Sequence, residues 1–281
     1  MPNFTTSIII PNYNGRKLLE KNLPAVLEAA RSAAEIIVVD DCSQDDSIDF
    51  LQKNYPQVKI IKTEKNKGYA STVNSGVSKV TGDIAVLLNS DIVPERDFLK
   101  PIIDDFSRDE NLFAIGCLDK SYEGGQITER GKGILYYQKG LFVHRAGDMS
   151  DDDLHTDWVS GGSSAYRRDI WLRLGGMDEK FNPFYYEDID LSYRAVKAGY
   201  KIILEKRSIT NHYHEEGAVI KNFSAAKTQE IAFRNQLYFS WKHGNHFKML
   251  LWLPYYFLTG TIKNKNLSFV KGIFRFLFIN T

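Results

Sequence analysis

Three short polar clusters stand where apolar runs stop. They are Asn12-Tyr13-Asn14 after Ser7-Ile-Ile-Ile10, Asp40-Asp41 after Ile36-Ile-Val-Val39, and Asn89-Ser90-Asp91 after Ala85-Val-Leu-Leu88. Asn, Ser and Asp favour turns by bonding their own backbone, so any one cluster alone reads as a turn. Together, with carboxylates in two of them, they read as a ligand site at one edge of a sheet. A second group of acids, Glu187-Asp188, opens a stretch of helical spacing (Ile189, Leu191, Val196, with Gly199 as terminator). That spacing places Asp188 in a first helical turn, where the helix N-terminus favours an ionised carboxylate. Two imidazoles, in His212-Tyr213-His214, follow a short strand at Ile202 to Leu204.

The elements that must position these residues alternate. Ser7–Ile10, Ile36–Val39, Val58–Ile61 and Ile84–Leu88 are short, apolar and largely β-branched, as buried strands are. Between them, residues 16–33 have helical spacing, with Pro24 expected to bend or restart the helix. Ser43 with Asp46 resembles a capping arrangement for a helix to about Tyr55, and Tyr69–Lys79 is a third helix entered through Gly68. Such alternation predicts an α/β fold with a mostly parallel, doubly wound central sheet. Ligands of these sheets bind beyond the carboxyl ends of the strands, where the three clusters fall. Residues 119–157 read as a solvated excursion with a hairpin around Ile134 to Val143.

The 281 residues, 43% hydrophobic and 25% charged, are ordinary for a soluble globular chain. Two cysteines without metal-like spacing and an N-terminus without a signal-peptide pattern lead us to expect the cytoplasm. The net charge of +1 hides an asymmetry, and no nucleic-acid partner is expected. After Glu230 come seven Lys or Arg, thirteen aromatics and no acid, leaving 29 basic against 35 acidic residues over 1–230. The longest apolar run there, Met249 to Leu258, falls short of the ~20 residues of a spanning helix. A basic, aromatic segment without a span suits an anionic membrane surface, with peripheral attachment at the inner face of the cell membrane. The alternative is a helical subdomain packed on the core or on a second subunit.

Seven pieces of the chain, in order, resemble a known family. They are Ser7-Ile-Ile-Ile-Pro-Asn-Tyr-Asn-Gly15, Val38-Val-Asp-Asp-Cys-Ser43, Asn66-Lys-Gly-Tyr-Ala70 with Asn74, Leu87-Leu-Asn-Ser-Asp91, Ser160-Gly-Gly162, Gly175-Gly-Met-Asp-Glu179 and Tyr186-Glu-Asp-Ile-Asp-Leu191. Over about residues 5–220 the chain resembles the family-2 glycosyltransferases of GT-A fold, most of all the rhamnosyltransferase-like members that build bacterial surface polysaccharides. The resemblance implies a GT-A domain over residues 1–222, with nucleotide-sugar binding to about 118 and an acceptor and catalytic part from 119. A basic, aromatic helical extension follows over 223–281. It implies an inverting transferase moving a sugar from a UDP- or dTDP-sugar to a hydroxyl of a glycan or lipid-linked acceptor. The alternative is a non-catalytic nucleotide-sugar or glycan-binding domain on the same fold.

The resemblance also assigns expected roles. Leaving diphosphates are stabilised by hard divalent cations with oxygen ligands, here Mg²⁺ or Mn²⁺. Asp91 is the carboxylate for that ion, and Asn89 departs from the family's Asp-x-Asp motif, leaving the site one charge poorer. Pro11, Tyr13 and one carboxylate of Asp40-Asp41 are expected on the pyrimidine base, with Asn66, Gly68, Asn74, Asn89 and Ser90 lining the donor pocket. Asp188 is the expected general base, since inverting transfer needs a carboxylate to take the acceptor's proton. Trp158, Gly161, Gly162, Glu187 and Asp190 are expected on the acceptor side. A metal- or diphosphate-binding histidine is either His212, counting from Gly199-Tyr200, or His214, counting to Gly217.

Overall fold

Ile8 and Ile10 pack to one side of the first strand and Ile9 to the other, and all three are buried. Successive side chains of a strand point to opposite faces, so an unbroken Ile-Ile-Ile run belongs to a strand covered on both sides. The computed structural model describes residues 4–150, 152–213, 217–259 and 267–277. It opens with β1 (Thr6–Asn12), α1 (Arg16–Ala29), β2 (Glu35–Asp40), α2 (Ser47–Asn54), β3 (Lys59–Lys62), α3 (Tyr69–Lys79) and β4 (Ile84–Leu88). Then come β5 (Ile92–Pro94), α4 (Leu99–Arg108), β6 (Leu112–Glu123), β7 (Gln126–Arg130), and a separate hairpin of β8 (Gly133–Gln138) and β9 (Leu141–Ala146). The chain continues through β10 (Ser163–Arg167), α5 (Arg168–Arg173), α6 (Glu187–Lys197) and β11 (Lys201–His212). It ends in α7 (Ala218–Asn222), α8 (Ala225–His243), α9 (His246–Phe257) and α10 (Ser268–Leu277).

The main sheet has the order β3-β2-β1-β4-β10-β6-β11-β5, with β7 paired to β6. Strands β1 to β4, β6 and β11 point the same way, while β10, β5 and β7 run against them. One face is covered by α1, α2 and α4 through Leu19, Leu23, Leu51, Ile102 and Phe106. The other is covered by α3, α5 and α6 through Val73, Val77, Ile170, Trp171, Leu191 and Ala195. Each such aliphatic side chain stabilises by about 1.5–3 kcal/mol when fully buried, so the two layers set the sheet's position firmly.

Three local expectations are corrected. Pro24 lies inside α1 and does not restart it: the helix runs through from Arg16 to Ala29. Ser43 caps no helix: α2 starts at Ser47, and the Ser43 hydroxyl instead donates to Asp40 at 2.6 Å. The strand expected at 202–204 runs to His212, because a bulge between Glu205 and Ile209 lets it rejoin β6.

The extension begins as part of the core. Phe239 of α8 is fully buried with Phe142, Phe181, Tyr186 and Ile189. Leu141 of the hairpin and Leu237 of α8 then pack against Met249 of α9.

Candidate active site

The strand ends meet at a cleft of about 350 Å³. Asp40 and Asp41 part company there. Asp40, fully buried, accepts from the Asn12 amide side chain at 2.8 Å and from the Ser43 backbone N–H at 2.9 Å. It braces the loops behind the cleft and does not line it. Asp41 does line it, and accepts from the Thr63 hydroxyl and from the backbone N–H groups of Lys67 and Gly68, at 2.8–3.0 Å. The Lys67 N–H also reaches the second oxygen, at 3.2 Å, so a ligand N–H would share that oxygen with Gly68 and displace this longer contact.

At the next strand end Asp91 faces His212. The pairing of His212 with Ile92, between β11 and β5, brings the imidazole Nε2 to 3.5 Å from the Asp91 carboxylate. Its Nδ1 lies 2.8 Å from Asp119, which also accepts from the Ser121 hydroxyl at 3.0 Å. Burial pulls the His212 pKa down, but Asp119 and Asp91 together outweigh it and raise it to about 9. Without an ion the ring is therefore protonated at neutral pH, and it joins Asp91 as a ligand to a divalent ion only by giving up its Nε2 proton, with Asp119 orienting it through Nδ1. Beside them the Asn89 side-chain oxygen is buried without a partner. Among the described residues no three His, Cys, Asp or Glu side chains form a closed metal cage. His214 lies outside the described residues.

The opposite wall is made of residues 160–162 and 183–188. Gly161 donates its N–H to Asp188 at 3.0 Å, while its carbonyl accepts from the Tyr69 hydroxyl at 2.7 Å. Gly162 has no room for a side chain, since a Cβ would sit 2.5 Å from the Asn89 amide nitrogen. Tyr185 and Tyr186 both take left-handed backbone angles, with φ of 74° and 75°. Such residues cost of order 1–3 kcal/mol each and persist only where their surroundings hold them. They turn the chain so that α6 starts at Glu187, putting Glu187 and Asp188 at the cleft.

Asp188 also accepts from the Ile189 N–H at 2.8 Å. Its position in the first turn is as the spacing predicts, but its electrostatics are not those of a simple helix terminus. Burial raises the pKa of Asp188 against the pull of those two N–H groups. Glu187 is raised well above the carboxylate range, by burial first and by Asp188 second, and its Oε2 has no hydrogen-bond partner. Two adjacent buried acids cannot both ionise cheaply, so Glu187 holds the proton and Asp188 the charge.

Of the expected site residues, Pro11, Tyr13, Asp41, Asn66 and Gly68 line the cleft. So do Asn89, Ser90, Asp91, Gly161, Gly162, Glu187, Asp188 and His212. Besides Asp40, three fall outside it. Asn74 exchanges hydrogen bonds with the backbone of Met177 at 2.8 and 2.9 Å, tying α3 to the loop after α5. Asp190 is fully buried between Arg194, Lys242 and His243, at 2.7–2.9 Å, and joins α6 to α8. Trp158 packs against Gly133 and edge-on to His144 of the hairpin. Sequence reasoning missed Tyr69, Asp119 and the Pro183–Tyr185 wall. Tyr69 directly follows Gly68 and was open to notice, but nothing in the sequence sets Asp119 beside His212.

Residues 7–174 match the model of a family described as glycosyl transferase family 2. The chain belongs to that family. It is 24% identical over 213 residues to the O-antigen chain rhamnosyltransferase RfbN of Salmonella typhimurium, covering 74% of this chain and 66% of that protein. It is 23% identical to the N-acetylglucosaminyl-diphospho-decaprenol L-rhamnosyltransferase of Mycobacterium tuberculosis, covering 69% and 71%. The chain thus spans about two thirds of the length of these relatives. The fold is GT-A, shared with GalNAc-T7 bound to UDP, GalNAc and Mn²⁺ (TM-score 0.68, 18% identity, 84% of this chain and 47% of that one). It is also shared with the mannosyltransferase PcManGT of Pyrobaculum calidifontis bound to GDP-Man and Mn²⁺ (TM-score 0.62, 17% identity, 97% and 74%). The family match ends before Glu187, Asp188 and His212, so those residues rest on the geometry of this chain.

Proposed function

We propose that this family member is an inverting glycosyltransferase that moves a sugar from a UDP- or dTDP-sugar to a hydroxyl of a glycan or lipid-linked acceptor in surface polysaccharide synthesis. The observation that carries the reading is that Asp91 and His212 on one side, and Asp188 on the other, open on a single cleft. Asp91 and His212 are the residues to hold Mg²⁺ or Mn²⁺, which when bound offsets the charge growing on the leaving diphosphate. Asp41 accepts a base imide N–H in place of the longer Lys67 contact, and Tyr13 and Pro11 line the same cleft. Asp188, ionised and with raised proton affinity, takes the proton of the acceptor hydroxyl as that oxygen attacks the anomeric carbon, and inversion follows from in-line attack. Glu187, neutral, can donate to the acceptor and keeps the negative charge on Asp188.

The relatives act, by their names, on O-antigen chains and a diphospho-decaprenol. Among the described residues no helix is long and apolar enough to cross a membrane, so a lipid-linked acceptor would be met at a surface, at the inner face of the cell membrane. The reading is tested by screening UDP-, dTDP- and GDP-sugars for transfer and hydrolysis, with and without Mn²⁺, and by assigning the product anomer by NMR. Stabilisation by a nucleotide sugar with no turnover on any acceptor or water would favour the alternative, a non-catalytic binding domain.

A further inference from the structure

Helix α9 buries one side and leaves the other bare. Met249, Leu253 and Tyr256 pack on Leu237 and Trp241 of α8 and on Ile273 and Phe276 of α10. Phe247, Leu250, Leu251, Tyr255 and Leu258 point away, between 41% and 75% exposed. At 100° per residue these five cover an arc of roughly 140°, a broad apolar face on a helix end too short to span a bilayer. Apolar faces of this kind on a folded protein mark interaction sites.

The charges at its border are of one sign. Lys139, at the tip of the β8–β9 hairpin, stands 4.2 Å from the Tyr255 ring centroid and 5.3 Å from that of Trp252. Lys248 lies on α9 itself, and both lysines are exposed and make no ion pair among the described residues. No acidic residue follows Glu230 in the sequence. A second copy docked on this face about a two-fold axis would bring lysines toward lysines. Anionic headgroups over the lysines, with Leu and Phe below headgroup level and Tyr and Trp at it, match both features.

We propose that the bare face of α9, with Lys139 and Lys248, docks the protein on an anionic lipid surface. The inference rests on the reading above for its purpose, namely presenting a lipid-linked acceptor to Asp188. The hairpin supplies the connection. Its turn sits on α9, with Tyr256 donating to the Gln138 carbonyl at 3.2 Å and Tyr137 accepting from the Asn245 N–H at 3.1 Å. Its other end carries His144, edge-on to Tyr186 at 5.2 Å, immediately before Glu187 and Asp188. Three residue steps of strand, at about 3.3 Å each, separate Leu141 at the turn from His144, so the lipid-facing turn lies roughly 10 Å along the hairpin from the catalytic wall.

The test is co-sedimentation of the full chain with phosphatidylglycerol–phosphatidylcholine vesicles and with phosphatidylcholine vesicles alone. Binding to the mixed vesicles that weakens with salt, and little binding to phosphatidylcholine, is expected. Phe247→Glu with Leu251→Glu should abolish it, and Lys139→Glu with Lys248→Glu should weaken it by roughly fivefold or more for each lysine. Both double variants should keep wild-type thermal stabilisation by UDP with Mn²⁺, since they touch no cleft residue. Wild-type protein that stays in the supernatant with both vesicles at low salt overturns the proposal. So does a wild-type dimer that Phe247→Glu with Leu251→Glu converts to monomer with no vesicle binding lost. Failure of UDP stabilisation in the wild type itself would instead count against the glycosyltransferase reading, whatever the vesicles show.

Discussion

The side-chain amide of Asn235 donates to the carbonyl oxygen of Tyr185 at 2.8 Å, two residues before Glu187. The carbonyls of Phe181 and Phe184 also lie 2.7 and 2.9 Å from the same amide nitrogen, whose two N–H groups are shared among the three oxygens, and Asn235 is fully buried. Arg234 adds a bond to the Phe181 carbonyl at 3.0 Å. Further along α8, Lys242 reaches Asp178 at 2.7 Å and Asp190 at 2.9 Å, on either side of the catalytic segment. Helix α8, outside the family match, is therefore what holds the left-handed turn that launches Glu187 and Asp188.

Asn235→Ala should test that hold. A buried carbonyl left without its donor costs roughly 1–3 kcal/mol, so the melting temperature should fall. A displaced Asp188 should also lower kcat by roughly 10- to 100-fold, with a much smaller change in donor KM. Asn235→Asp, which faces three carbonyls with acceptors, should be worse than alanine. Wild-type kcat in a merely less stable Asn235→Ala protein would leave the residue a structural role only.

Asp188→Asn removes the base and keeps the shape. Transfer should drop by about 10²–10⁴, with UDP affinity changed no more than a few-fold. Steady-state kinetics and calorimetry on the same protein give both numbers. Retention of more than a tenth of the activity would mean that another group takes the proton.

Glu187→Gln should behave differently from its neighbour. Burial and Asp188 push Glu187 far up, so of the two acids it is the one that keeps its proton, and glutamine is a neutral side chain of the same shape. Transfer at neutral pH should stay within a few-fold of wild type. The sign for stability follows from a raised folded-state pKa. The unfolded chain releases this proton above about pH 4.3 while the folded chain keeps it, so wild type loses this contribution as pH rises. Glutamine does not titrate, and urea midpoints should therefore shift in favour of Glu187→Gln between acid and neutral pH. A pH-independent difference, or a loss as large as that of Asp188→Asn, would show that Glu187 carries the charge.

Asp91→Ala and His212→Ala address the metal. Each should weaken UDP binding strongly when Mn²⁺ is present and little when it is absent. A Mn²⁺ titration monitored by electron paramagnetic resonance, with UDP present, should show weaker binding in both variants. Equal losses with and without the ion would make Asp91 and His212 part of the wall, not its ligands.

Much of the fold is local and was legible. Short, unbroken β-branched runs such as Ile36-Ile-Val-Val39 suit doubly covered strands, and a parallel sheet places their polar ends at one edge. Asn89-Ser90-Asp91 and Glu187-Asp188 could therefore be located from pattern and resemblance alone. Long-range contacts decided the rest. Whether Asp40 or Asp41 faces the cleft depends on which one the Asn12 and Ser43 side chains capture, 28 and 3 residues away in sequence. Asp190 has the spacing of a site residue, yet lies between Lys242 and His243, on a helix some fifty residues further on. The carboxylate behind His212 comes from Asp119, 93 residues earlier, through a parallel pairing that no periodicity announces. The proton affinities of Glu187 and Asp188 follow from burial under the 160–162 and 183–185 walls. Composition reports that acids are present; only the packed chain sets how much water each one keeps, and so which one can act as a base.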